Sequence, residues 1–237
     1  NGVPSECAFF GNDVAERLVK ERGHARMVFA RNVFPHVANT HDFLEGLKTL
    51  LADDGTLAIE SHYAKIILEG LHYDSIYHEH LCYFTVKSIE RLLNDHGLYI
   101  FDIAQSPISG GSNVIYARKQ RGKEQPAVQE YRDREVADQT NELSSWENFA
   151  KRSFAHREQL LTALKEAAGE GPVVGWGASA RSSTMLNFCA IDSKLLPVII
   201  DLNPFKRGLF TAGTHIPIRD AGSVMERDPK FVLILAW

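Results

Sequence analysis

Apolar positions along the chain alternate between short continuous runs and a helical spacing. Met27-Val28-Phe29-Ala30 and Thr56-Leu57-Ala58-Ile59-Glu60 have the length of buried strands. Between them Phe43, Leu44, Leu47, Leu50 and Leu51 share one helical face, with Thr40 placed to cap it and Asp53-Asp54-Gly55 to stop it. An amphipathic stretch through Val14, Leu18 and Val19 precedes the first run. After an irregular segment over 61–83, Thr85 is placed to cap a helix through Val86, Ile89, Leu92 and Leu93 that ends at Gly97. Residues 98–104 and 112–118 read as two strands joined across 107–111, a loop short enough for a hairpin. Strands alternating with helices predict an α/β fold with parallel strands and crossover helices, finished here by an antiparallel hairpin.

The pattern then changes. Residues 119–128 are polar, contain Gly122 and Pro126, and read as a linker. A long helical region follows, with Trp146, Phe149, Ala150, Phe154, Leu160, Leu161 and Leu164 on roughly one side and Gly169-Glu170-Gly171 closing it. Val173–Trp176 opens a second strand–helix–strand unit: a Gly-rich turn, a helix carrying Met185, Leu186 and Phe188, a strand over 196–200 ending at Asp201, and another over 231–235. The expected organisation is therefore 1–120, a connecting and helical region over 121–170, and a second, Rossmann-like domain over 171–237.

Composition narrows the function classes. A length of 237 residues suits two domains of ordinary size, and 44% hydrophobic with 24% charged residues describes a globular protein. The net charge of -4 and pI near 6.2 give no footprint for nucleic acid. No apolar run approaches the ~20 residues that span a bilayer, and the first residues lack the basic and apolar regions of a signal peptide. Cys7, Cys82 and Cys189 are odd in number and far apart, so disulfide frameworks and zinc knuckles are not expected and a reducing cytoplasm is the default.

Two stretches carry candidate chemistry. Tyr77-His78-Glu79-His80 puts four proton-handling side chains in a row beside apolar Ile76 and Leu81, a setting in which pKa values move toward working pH. His36 follows the end of a predicted strand, where ligands of α/β sheets bind. A metal site built from His78, Glu79 and His80 lacks a ligand from another element. The second stretch is Gly175-Trp176-Gly177-Ala178-Ser179-Ala180-Arg181-Ser182-Ser183. Backbone N–H groups at a helix start suit a phosphate, and so do the side chains of Ser179, Arg181, Ser182 and Ser183, although close strand–helix packing also wants small residues there. Asp201, ending the next strand, stands where Rossmann proteins often hold a ribose hydroxyl, or is a turn aspartate.

The first half, with its terminal hairpin, resembles the second half of a class I S-adenosylmethionine-dependent methyltransferase domain. Taken in order, Tyr77-His78-Glu79-His80 with Tyr83-Phe84, Gly110-Gly111, the loop over 175–182, Asn187-Phe188, Asp201-Leu202-Asn203-Pro204-Phe205-Lys206, His215-Ile216-Pro217-Ile218 and Leu235-Ala236-Trp237 resemble the nucleotide-sugar C-methyltransferases across essentially the whole chain. That resemblance implies S-adenosyl-L-methionine as cofactor, and a dTDP-4-keto-deoxysugar methylated at C3 through an enolate. It implies His80, Glu79, Tyr77 and His36 as catalytic residues, and Phe9, Phe10 and Asn32 near the cofactor. It also implies substrate contacts from Gly175, Gly177, Ala178, Ser179, Arg181, Ser182, Asn187, Asp201 and Lys206. His78 falls where the family is variable. Family members carry a zinc-binding N-terminal lobe and a Gly-rich first cofactor loop, so zinc is expected only in a lobe this sequence lacks, and the chain reads as a fragment. Two alternatives stay open: an NAD-dependent oxidoreductase using 175–181, and a non-catalytic nucleotide-sugar-binding module.

Overall fold

The computed structural model describes every residue except Asn1, Arg227, Trp237 and the side chain of Ser109; Trp237 of the last motif above thus lies outside the described residues. The chain divides into two compact units, 1–66 with 79–145, and 67–78 with 146–237.

The first unit begins with α1 (Asn12–Arg22), β1 (Ala25–Arg31), a 3-10 turn (Phe34–His36), α2 (Thr40–Leu50) and β2 (Leu51–His62). It continues after the excursion with α4 (Val86–Asp95), β3 (Tyr99–Ser106), β4 (Ser112–Arg118) and α5 (Pro126–Ala137); α3 (Ala64–Gly70) crosses the division. Strand order is β1-β2-β4-β3, with β1 and β2 parallel and β4 antiparallel to both its neighbours. The alternation over 25–62 and the hairpin therefore fold as the sequence predicts. Leu57, Ala58 and Ile59 are buried one after another because β2 is central and covered on both faces. Val86, Ile89 and Leu93 turn the apolar stripe of α4 into the core. Thr85 caps that helix as expected, in a reciprocal capping box with Ser88.

Several local expectations are corrected. Asn39, not Thr40, caps α2, accepting from the Asp42 N–H; Thr40 is the first helical residue. Asp53-Asp54-Gly55 do not form a stop but begin β2, which starts directly at Leu51. The polar stretch 119–128 is linker only in part, since Pro126, pre-set for a first helical position, starts α5. The helical region is two helices, α5 and α6 (Leu143–Glu170), broken where Gln139 takes a left-handed φ of 52°.

The second unit contains most of α6, β5 (Val173–Trp176), α7 (Ala180–Phe188), β6 (Ile199–Ile200), β7 (Ile218–Arg219), α8 (Ala221–Met225) and β8 (Phe231–Ile234). Its sheet, β7-β6-β5-β8, is parallel throughout, the arrangement of a doubly wound Rossmann-like domain. The strand expected over 196–200 narrows to two residues, with Leu196 buried in the turn before it. Ser179 caps α7 by accepting from the Ser182 N–H. Gly177 holds φ at 96°, and a Cβ there would lie 2.3 Å from that of Ala236, so the β5–α7 turn tolerates no side chain.

Candidate active site

In the first unit the imidazoles of His36, His80 and His62 converge where β1 and β2 end. Packing of the flanking aromatics brings them there. Phe34, fully buried, stacks on Phe84 with ring centroids 4.9 Å apart, and on its other side meets Phe43 at 5.7 Å. The Pro35 carbonyl accepts the N–H groups of Leu81 and Cys82 at 2.8 and 3.2 Å. These contacts tie the turn after β1 to the segment after His80. His36 Nδ1 lies 2.7 Å from the Glu79 carbonyl oxygen. A carbonyl only accepts, so Nδ1 carries the proton, and in the neutral ring Nε2 is left with its basic lone pair. The His80 ring sits 4.9 Å from His36, 5.3 Å edge-on from His62 and 6.1 Å from Tyr83.

Of the sequence candidates, His36, Glu79 and His80 belong to this unit, and the division falls just before Glu79, leaving Tyr77 and His78 with the second unit. Glu79 contributes its backbone carbonyl, while its side chain is exposed. Sequence reasoning missed His62; its signal was its place at the end of a predicted strand, as for His36. It also missed Asn113 on β4, 3% exposed, which lines a small cavity with Ser61, His62, Tyr63 and Thr85 and has, among the described residues, no partner for either amide atom. A buried amide of this kind is a ready partner for a water or ligand. Beside it Glu60, 7% exposed, accepts from Ser106 Oγ at 2.7 Å and pairs with Arg31 at 2.7 Å.

A brace of polar contacts supports this corner. Glu135, 2% exposed, accepts from Tyr63 Oη at 2.9 Å, from the N–H groups of Val86 and Lys87, and from Asn141 Nδ2 at 3.0 Å. Burial, and then the Glu135 charge, raise the Tyr63 pKa far above the ordinary phenol range, so its hydroxyl is a fixed donor.

In the second unit the Gly-rich turn is engaged with its own surroundings. Ala178 N–H donates to Asp201 Oδ2 at 2.8 Å; Lys206 Nζ reaches the Ala178 carbonyl at 2.7 Å and Asp201 at 3.2 Å. Burial would raise the Asp201 pKa, but donors from Asn203, Ala178 and Lys206 outweigh it and hold the carboxyl below its usual value. Ser182 Oγ donates to the Ser179 carbonyl at 2.7 Å, and Asn187 bridges the carbonyls of Ser183 and Ala212. Arg181 is committed to Asp74 through two hydrogen bonds. Gly175 lies inside β5, where a Cβ would meet Ile199 and Leu235 at 2.9 Å, so it serves sheet packing.

The class is thus an α/β unit with histidines gathered at the ends of its parallel strands, followed by a parallel, Rossmann-like unit. Residues 4–103 match the methyltransferase domain family, and 107–237 match the C-methyltransferase C-terminal domain family. The chain belongs to the C-methyltransferases. It is also 30% identical over 239 aligned positions to the C-methyltransferase NovU of Streptomyces niveus, an alignment that takes in all of this chain and 57% of that protein's length.

Methyltransferase domains imply S-adenosylmethionine, and the residues here fit one part of such a site. Phe9 presents a fully exposed ring, and Asn32, just past β1 with φ at 50°, presents a half-exposed amide; an adenine and a polar edge of the cofactor suit these groups. Phe10 fits less well, because its ring packs edge-on against Phe43 at 5.4 Å. Among the described residues no cluster of three or more His, Cys, Asp or Glu is placed to hold a metal, and no helix is long and apolar enough to cross a membrane.

Proposed function

We propose that the protein transfers a methyl group to a carbon next to the keto group of a nucleotide-linked deoxysugar, C3 of a dTDP-4-keto sugar, by way of an enolate. The observation that carries this reading is the His36–His80 pair, with the His36 tautomer set by the Glu79 carbonyl. A sugar C–H is not nucleophilic; carbon methylation first needs a proton removed beside a carbonyl, and that step wants an imidazole-like base near neutral pH. His80 takes the C3 proton and Glu79 shares that work or orients the base, while Tyr77 donates to the developing enolate oxygen; His36, whose Nδ1–H is given to the Glu79 carbonyl, donates there only when Nε2 is also protonated. S-adenosylmethionine supplies an electrophilic methyl on its sulfonium. The chain's own task at that point is to hold the enolate carbon in line and keep water away. Support for a nucleotide-linked substrate comes from the Rossmann-like form of the second unit and from its match to the C-methyltransferase C-terminal domain family.

The test is solvent exchange. Without methyl donor, deuterium should enter C3 of a dTDP-4-keto sugar, and His80→Asn should reduce the exchange rate by roughly 10²–10⁴-fold. Undiminished exchange in His80→Asn with loss in His36→Asn would transfer the base role to His36, whose Nε2 is already the unprotonated nitrogen. Retention of exchange in both variants would refute the imidazole-base reading.

A further inference from the structure

The segment from the last turn of α3 to Tyr77 is held down at several independent points within the second unit. Arg152 on α6 donates to the carbonyls of Leu68 and Glu69, at 3.4 and 3.1 Å. Tyr73 is 8% exposed; its hydroxyl lies 2.9 Å from His156 Nδ1 and 3.6 Å from the Cys189 sulfur, and its ring lies 4.9 Å from Phe188. Burial, more than the Cys189 contact, raises the Tyr73 pKa far above the phenol range, so the hydroxyl keeps its proton. The next residue, Asp74, meets Arg181 side-on: Nε to Oδ2 at 3.0 Å and Nη2 to Oδ1 at 3.1 Å, with the side chains 10% and 16% exposed. Burial and the Arg181 charge lower the His72 pKa, so the neighbouring imidazole is neutral at neutral pH and offers Asp74 no rival cation.

A bidentate fork uses the guanidinium's planar geometry and strengthens as water is excluded. Removing Arg181 takes from the buried Asp74 carboxylate its bidentate partner. Only Ser75 and Ile76 separate Asp74 from Tyr77, so the backbone that carries the phenol starts from this anchor. We propose that residues 67–78 form a strap whose placement, and with it the orientation of Tyr77, is set by the Asp74–Arg181 pair; Arg181 is a positioning residue for the reaction rather than a ligand of the substrate diphosphate. The proposal rests on the reading above in one respect, that Tyr77 serves the methylation.

Asp74→Asn, Arg181→Gln, Arg181→Lys and the double variant Asp74→Asn/Arg181→Gln, made in the full-length protein, separate the roles. Each of the two neutral single variants should lower kcat by about 10²-fold, the scale of a roughly 1 Å misplacement, with KM for the nucleotide sugar and Kd for dTDP within about twofold. The double variant should be no worse than either single, because both remove the same contact. Arg181→Lys, which keeps the charge but not the fork, should recover part of the loss. Amide hydrogen exchange over 67–78 should quicken in the neutral variants while the core strand β5 keeps its protection, which also shows that they fold. If Arg181→Gln weakens dTDP binding by about tenfold or more and Asp74→Asn does not, Arg181 is a diphosphate ligand and the proposal falls. Unchanged exchange over 67–78 overturns it as well. The exchange experiment needs no turnover, so an absence of methyl transfer in the wild type would refute the proposed function while leaving the strap to be decided on its own.

Discussion

Glu135 offers a sharp test of how the histidine corner is supported. Its buried carboxylate receives Tyr63 Oη and the Val86 N–H, both buried, and the Lys87 N–H and Asn141, which are more accessible. Tyr63 directly follows His62, and Val86 opens the helix that follows Tyr83 and Phe84. In Glu135→Ala, water replaces the acceptor for Lys87 and Asn141, but the two buried donors lose theirs. Each buried unmade hydrogen bond costs about 1–3 kcal/mol. Relief from burying a carboxylate offsets part of that, and the net expectation is about 2–4 kcal/mol. For a unit of this size that is roughly a 10 °C fall in the melting transition. Tyr63→Phe leaves Glu135 with three donors and should cost only about 1 kcal/mol. Thermal unfolding followed by far-UV circular dichroism, with amide exchange over α4, measures both. A Glu135→Ala loss below about 1 kcal/mol, or one equal to that of Tyr63→Phe, would refute the reasoning that the carboxylate organises the helix start as well as the phenol.

Two further outcomes are expected. Gly177→Ala must place a Cβ 2.3 Å from the Ala236 Cβ at φ of 96°, and should destabilise the second unit by at least about 1–2 kcal/mol in urea unfolding; a neutral result would show that the β5–α7 turn can shift. Asp201 has its pKa lowered in the folded state, so its contribution is present above the ordinary aspartate value of about 3.9 and lost as pH falls through the lower folded value. Asp201→Asn should therefore flatten the stability profile of the second unit below about pH 4. Parallel acid limbs in the two proteins would contradict this.

Elements whose causes are local were legible in the chain alone. The stripe through Val86, Ile89 and Leu93 and the cap Thr85 depend on side-chain period and on hydrogen bonds within a few residues, and they fold as read; the run at 27–30 forms its strand but not a buried one, because β1 lies at the sheet edge and exposes Met27 and Phe29. Where two local signals competed, the reading failed. Asn39 outbid Thr40 as cap, and pairing with Ala25 and Met27 drew Leu51 and Thr56 into one strand across the Asp-Asp-Gly expected to stop a helix. The motif order that marks the family was also present in the sequence.

The partners of the site residues were not. His36 and His80, far apart in the chain, meet because Phe34 stacks on Phe84, and that same packing admits His62, which no spacing rule singled out. Arg181 has the look of a phosphate ligand by its place in a Gly-rich turn, yet its carboxylate partner lies 107 residues earlier. Local propensity determined which helices and strands this chain could make. Which charges and rings face one another was decided only when burial made each unpaired group costly, and that is a property of the packed molecule.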